Sequence, residues 1–148
     1  MICLDTTFLI DLSWLDSPRH SNAVNLFNKL ADEKGKYKNE EILVYYNCFN
    51  KFIHVITDSR RFEDALSMKE ALAITEQWRN LERVRIVFPD ETSYGRALTW
   101  LSIYNLGRNR LNDTNMAACY ASQGASKIVT ANPKDFEILE VLECISYK

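Results

Sequence analysis

Ile42-Leu43-Val44-Tyr45-Tyr46, followed at once by Phe49, Phe52, Ile53 and Ile56, is the stretch that decides the architecture. Five successive apolar or aromatic residues fit a strand buried on both faces. Apolar residues then returning every three or four positions fit a helix. The same succession recurs on either side. Met1–Leu4 is a short apolar run that meets a carboxylate at Asp5. Ser17-Pro18 reads as a helix cap with proline at the first helical position, ahead of Ala23, Val24, Phe27, Leu30 and Ala31 at helical spacing and a stop at Gly35. Downstream, Ser67 and Glu70 fit a capping box for a helix carrying Ala71, Leu72, Thr75 and Trp78. Val84–Phe88 is a predicted strand closed by Pro89. Tyr94, Ala97, Leu98 and Leu101 mark a helix ending near Gly107, and Asp113 opens another that runs through Ala117, Tyr120 and Ala121 to Gly124. Lys127–Thr130 and Val141–Ser146 complete the strands, with Asn132–Asp135 as a turn between them.

Strands separated by helices predict a three-layer α/β fold, a mainly parallel central sheet flanked by helices, with residues 1–148 as a single domain. Parallel strands need right-handed crossovers, and such sheets collect ligands at the carboxyl ends of their strands. That rule brings Asp5, Asp113, Asn132 and Asp135 to one edge.

Composition narrows the function. Of 148 residues 47% are hydrophobic and 26% charged, with 4 Gly and 3 Pro, which excludes collagen-like and low-complexity chains. The 18 basic and 20 acidic residues leave a net charge of −2, so a wholly basic nucleic-acid binder is excluded while a local basic patch is not. No apolar run approaches the ~20 residues that span a bilayer, and no basic leader opens the chain, so a cytoplasmic location is expected. Cys3, Cys48, Cys119 and Cys144 are scattered among apolar neighbours with no C-x-x-C pair, which reads as reduced core thiols rather than a zinc site.

An acidic edge has an evident use. Magnesium takes one or two carboxylates, keeping waters and substrate phosphate as its other ligands, and a bound ion activates water and neutralises phosphoryl charge. Asp5 and Asp113 are the natural pair. On spacing alone a turn cap for Asp5 and a helix cap for Asp113 stand beside the metal reading.

Five stretches carry a resemblance. They are Leu4-Asp5-Thr6-Thr7-Phe8-Leu9-Ile10; Pro18-Arg19-His20 with Ala23; Phe52-Ile53-His54-Val55-Ile56-Thr57-Asp58-Ser59-Arg60-Arg61-Phe62; Asn112-Asp113-Thr114 with Ala117-Ala118; and Thr130-Ala131-Asn132-Pro133-Lys134-Asp135-Phe136. In this order they resemble the PIN-domain family, and within it the VapC-type ribonuclease toxins. The resemblance implies an endoribonuclease dependent on Mg²⁺ or Mn²⁺ that cuts single-stranded or looped RNA by a metal-activated water, leaving a 5′-phosphate. It implies Asp5 and Asp113 as metal ligands and Asp135 as a third catalytic carboxylate. Asn132, Thr130 and Thr6 match positions near the site. It also implies a small antitoxin partner and a homodimer, for which Trp100, Tyr104 and the apolar residues around Phe8 and Leu12 are the expected interface.

One position departs from the family. Where the family places Glu, before the residue matching Phe52, this chain has Lys51. Three accounts fit: an inactivating change, a natural site weakened to one metal, or a register one helical turn off with Asn47 as the ligand. A catalytically impaired PIN domain that binds antitoxin or RNA is therefore the second reading. A phospho-acceptor receiver domain is a third, disfavoured because no adjacent acidic pair lies near the first strand.

RNA must also be held. Arg60 and Arg61 form one basic pair and Arg108 and Arg110 another, and guanidinium forks suit phosphate. Each pair reads equally as a solvated turn. Tyr45, Tyr46 and Trp100 could stack on bases, but most aromatics fall on core stripes. His20 and His54 are read as structural.

Overall fold

The computed structural model describes residues 1–148. Five strands, β1 (Ile2–Leu4), β2 (Ile42–Tyr45), β3 (Val84–Val87), β4 (Lys127–Thr130) and β5 (Glu143–Ser146), alternate with helices. The helices are α1 (Thr6–Ser13), α2 (His20–Ala31), α3 (Tyr46–Ile56), α4 (Met68–Arg79), α5 (Glu91–Ile103), α6 (Leu111–Ser122) and the short α7 (Lys134–Glu137). The sheet is parallel throughout, in the order β3-β2-β1-β4-β5. Sequence and structure agree on the α/β class and on every strand.

Strand composition explains that order. Ile2, Cys3 and Leu4 are fully buried, as befits the middle of a sheet covered on both faces, whereas β3 and β5 at the edges keep partly exposed residues. The chain walks outward from β1 to β3 on one side, then returns to lay β4 and β5 on the other. A topological switch point therefore falls between β1 and β4, where open α/β sheets form their crevice. Helix packing follows: α1 against α2 and α3, α3 against α4, and α5 against α6.

Local signals are mostly honoured. Ser67 and Glu70 form the expected capping box, and Asp90 with Ser93 forms a second. Gly124 sits at φ 79°, the left-handed backbone that ends α6 and suits glycine. After α5 that left-handed position falls to Asn105, at φ 50°, and not to Gly107. Ser17 does not cap α2, which begins at His20. Its hydroxyl is drawn to the buried Asp11 carboxylate instead, 2.6 Å away. The cysteines are all unpaired thiols, three of them buried.

Tyr120 sews the layers together. Its hydroxyl donates to the Leu4 carbonyl and accepts from the Tyr45 amide, each at 2.7 Å, so α6 is pinned to the carboxyl ends of β1 and β2. Phe8, expected at an interface, is fully buried and packs edge-on against Tyr147. The apolar residues left exposed on α5 are Tyr94, Leu98 and Ile103. No helix is long and apolar enough to cross a membrane.

Candidate functional site

Asp5 follows β1 directly, and Asn132 lies two residues past the end of β4, so both stand at the switch-point crevice. Asp113 arrives from the first turn of α6, about two helical turns before the anchored Tyr120. It is a residue inside the helix and not its cap, because a 3-10 turn at Arg108–Arg110 leads straight into α6. Asp135 comes from α7. Together with Thr6, Thr7, Lys51, His54 and Val55, these residues line one cavity of about 300 Å³.

Asp5 is held firmly. Its Oδ2 accepts from Thr7 Oγ1 at 2.8 Å and Thr130 Oγ1 at 2.9 Å, while neither hydroxyl reaches Oδ1. Burial raises the Asp5 pKa, and the hydrogen bonds from Thr7, Thr130 and the Thr6 backbone only partly oppose it. Asp113 is pushed up to about 6, by burial first and then by the charge of Asp5, with Lys51 working the other way. Two carboxylates thus face each other with less positive charge than they need. Asp135 is different, because Arg110 takes it: Nη1 lies 3.4 Å from Oδ1, and Nη2 donates to the Asp135 carbonyl.

Lys51 lines this cavity, so the register of α3 is as read from the sequence. Asn47, the alternative ligand, does not line the cavity that holds Asp5; it lines an adjoining crevice together with Thr6, Lys51, Asn112 and Asp113. Lys51 does not, however, form an ion pair with any aspartate, contrary to what its charge predicts. No three His, Cys, Asp or Glu side chains are gathered into a metal-holding set. The pair Asp5 and Asp113 still suits one hard ion that keeps most of its waters, since two carboxylates are as many as magnesium ordinarily takes.

Of the predicted site residues, the structure brings Asp5, Thr6, Lys51, Asp113, Asn132 and Asp135 to one cavity and puts Thr130 behind Asp5. It does not bring the arginine pairs there. Arg60 forks onto Asp58 at 3.0 and 3.1 Å, Arg61 lies 3.9 Å from the same carboxylate, Arg108 is exposed in the 3-10 turn, and Arg110 is committed to Asp135. Thr7, which the sequence reading does not single out, holds Asp5, and His54, read as structural, lines the cavity. The Asp-x-Thr spacing after a strand was the available signal for Thr7. The helical offset of three from Lys51 was the signal for His54. An apolar groove of about 680 Å³ between Leu12, Phe27, Trp78 and Leu81 shares no residue with this cavity.

A parallel α/β sheet with carboxylates converging at its switch point defines a class of acidic-cavity domains. The profile of the PIN domain matches residues 2–141, and the chain belongs to the PIN-domain family. No curated protein matches the sequence. Among solved structures, it is similar to VapC20 of Mycobacterium tuberculosis, described as a sarcin-ricin loop cleaving toxin. Identity is 18%, 86% of this chain and 87% of that one are covered, and the TM-score is 0.66. It is also similar to VapBC2 of Rickettsia felis bound to a promoter DNA fragment, at 19% identity with both chains fully covered and a TM-score of 0.67. VapBC-1 from nontypeable Haemophilus influenzae follows at 21% identity, with 99% and 98% covered and a TM-score of 0.65. At these identities the likeness is one of fold.

Proposed function

We propose that the chain is an endoribonuclease of the toxin–antitoxin kind, acting in the cytoplasm as one domain and held in check by a small antitoxin. The observation that carries this reading is the convergence of Asp5, Asp113 and Asp135 on one cavity at the switch point of the sheet. The similar structures, VapBC complexes among them, support the antitoxin. A surplus of exposed apolar side chains on α5 supports a homodimer.

Asp5 and Asp113 would hold one Mg²⁺ or Mn²⁺, which when bound supplies an activated water and neutralises phosphoryl charge. The protein's own part is positioning. Thr7 and Thr130 fix Asp5 through Oδ2, and the anchored α6 presents Asp113 across from it. Asn132, exposed on the cavity wall, offers its amide to the RNA phosphate.

Lys51 favours a second reading, a PIN domain impaired in cleavage that retains antitoxin or RNA binding. An ammonium beside Asp5 and Asp113 competes with a divalent ion for the same field. RNA cleavage in Mn²⁺ by this chain, by Lys51→Glu and by Asp5→Asn separates the two. Cleavage by this chain that is lost in Asp5→Asn supports the nuclease. Cleavage only by Lys51→Glu supports the impaired domain, and cleavage by neither removes both the enzyme and its repair.

A further inference from the structure

The acidic cavity has a neighbour. Asn132, Pro133, Lys134, Asp135, Glu137 and Lys148 line a second cavity of about 480 Å³. Asn132 and Asp135 stand in the walls of both. We propose that this second cavity is a subsite for a neighbouring backbone phosphate of the RNA strand, held by Lys134 and Lys148. The inference rests on the RNA reading above and deepens it.

The shared wall is built into the site. Thr130 Oγ1 donates to Asp5 Oδ2 and accepts from the Asn132 amide, each at 2.9 Å, so one hydroxyl fixes the acidic cavity and the wall of its neighbour together. Arg110 grips Asp135 through both carboxylate and carbonyl. That grip neutralises the one shared carboxylate and keeps it from repelling a phosphate. Lys134 and Lys148 are exposed, and neither makes an ion pair, although Glu137 lines the same cavity. An ammonium on a flexible stem, free of a carboxylate partner, binds phosphate as a point charge. Arg60 and Arg61, by contrast, already have Asp58. An RNA strand carries a phosphate at every nucleotide, and the strand that enters the acidic cavity meets this lysine pair across Asn132.

The test is binding of the 148-residue chain to a labelled RNA octamer in chelator, where no metal-activated water forms to cleave it, read by fluorescence anisotropy over a range of salt. Each of Lys134→Ala and Lys148→Ala weakens binding several-fold and lowers the slope of log affinity against log salt by about 0.7, the value for one phosphate contact on a single strand. Glu137→Gln strengthens binding, a sign that a merely structural role would not produce. Lys69→Ala, exposed on α4, leaves affinity and slope unchanged. If the native chain binds and both lysine variants keep its affinity and slope, the subsite is wrong and the RNA reading survives. If the native chain binds no RNA either in chelator or, as the Asp5→Asn variant that cannot cleave, in Mn²⁺, the RNA reading falls and takes the subsite with it.

Discussion

Asp5 and Asp11 stand at the two ends of one short helix, both almost wholly out of water, and their surroundings treat them in opposite ways. Burial works to raise the Asp11 pKa, but Arg19, Ser17 and Tyr147 outweigh it and hold the group below its ordinary value. Arg19 Nε donates at 2.7 Å, Ser17 Oγ at 2.6 Å and Tyr147 Oη at 2.7 Å. Asp5 receives two hydroxyls and no guanidinium, and burial wins. Asp113, its neighbour across the cavity, is raised as well. A carboxylate that serves the fold is given its counter-charge by the chain. Asp5 and Asp113 are left short of positive charge, which is the electrostatic setting that the cation of the proposed function would need.

The largest effect should come from robbing Asp11 of its partner. Arg19→Met keeps much of the side-chain bulk and removes the guanidinium, leaving a buried carboxylate with two hydroxyl donors. A fully buried broken pair costs roughly 3–5 kcal/mol. Arg19 is partly exposed and the hydroxyls remain, so a loss of about 2 kcal/mol is expected in urea unfolding. If the variant proves as stable as the parent, Asp11 does not depend on its counter-charge and the contrast with Asp5 loses its basis.

The two carboxylates were not equally legible in the sequence. Asp5 could be placed because it ends an apolar run, and the parallel-sheet rule then says where such an end must lie. Asp113 and Asp135 followed from the same rule. Asp11 could not be found, because its partners come from the α1–α2 connection and from the residue just after β5, and Tyr147 meets it only once the sheet is assembled. The same limit misled the reading of Ser17, whose local sequence fits a cap while its tertiary partner is a buried carboxylate. Arginine pairs read as phosphate clamps failed to reach the cavity for a related reason. Sequence shows where cations are plentiful, but Asp58 and Asp135 decide which of them are free.

A second way to sharpen the contrast is to make the deficit in the cavity larger. Lys51→Glu turns the one ammonium there into a further carboxylate. With metal chelated, the variant should be less stable by about 1–2 kcal/mol, the size of a charge interaction over roughly 8 Å at an effective dielectric near 20. Added Mn²⁺ should restore that loss and raise the melting temperature further, since an ion bound only by the folded state stabilises by about 2.7 kcal/mol at a hundred times its dissociation constant. The parent should shift much less at the same Mn²⁺ concentration. Equal shifts in both would mean that Lys51 does not compete with the ion.

The smallest effect is the most specific, because its sign runs against ordinary expectation for a buried polar residue. Asp113→Asn removes a charge that the folded cavity resists. The Asp113 pKa is raised from near 3.8 to about 6 on folding, so across that interval the folded chain binds more protons than the unfolded one. Parent stability therefore falls as pH rises through that interval, and the penalty is complete above about pH 6. An isolated group shifted this far would lose roughly 3 kcal/mol. Asp113 keeps some contact with water and its repulsion is shared with Asp5, so the gain expected for Asp113→Asn in chelator at neutral pH is about 1 kcal/mol. Below about pH 3 the parent carboxyl is protonated in both states and the two proteins should be equally stable, so the difference should shrink steadily as pH falls towards 4. Urea unfolding of parent and variant across pH 4 to 8 reads this directly. A variant less stable than the parent at neutral pH, or a difference that does not change with pH, would place Asp113 with Asp11 among the carboxylates that hold the fold.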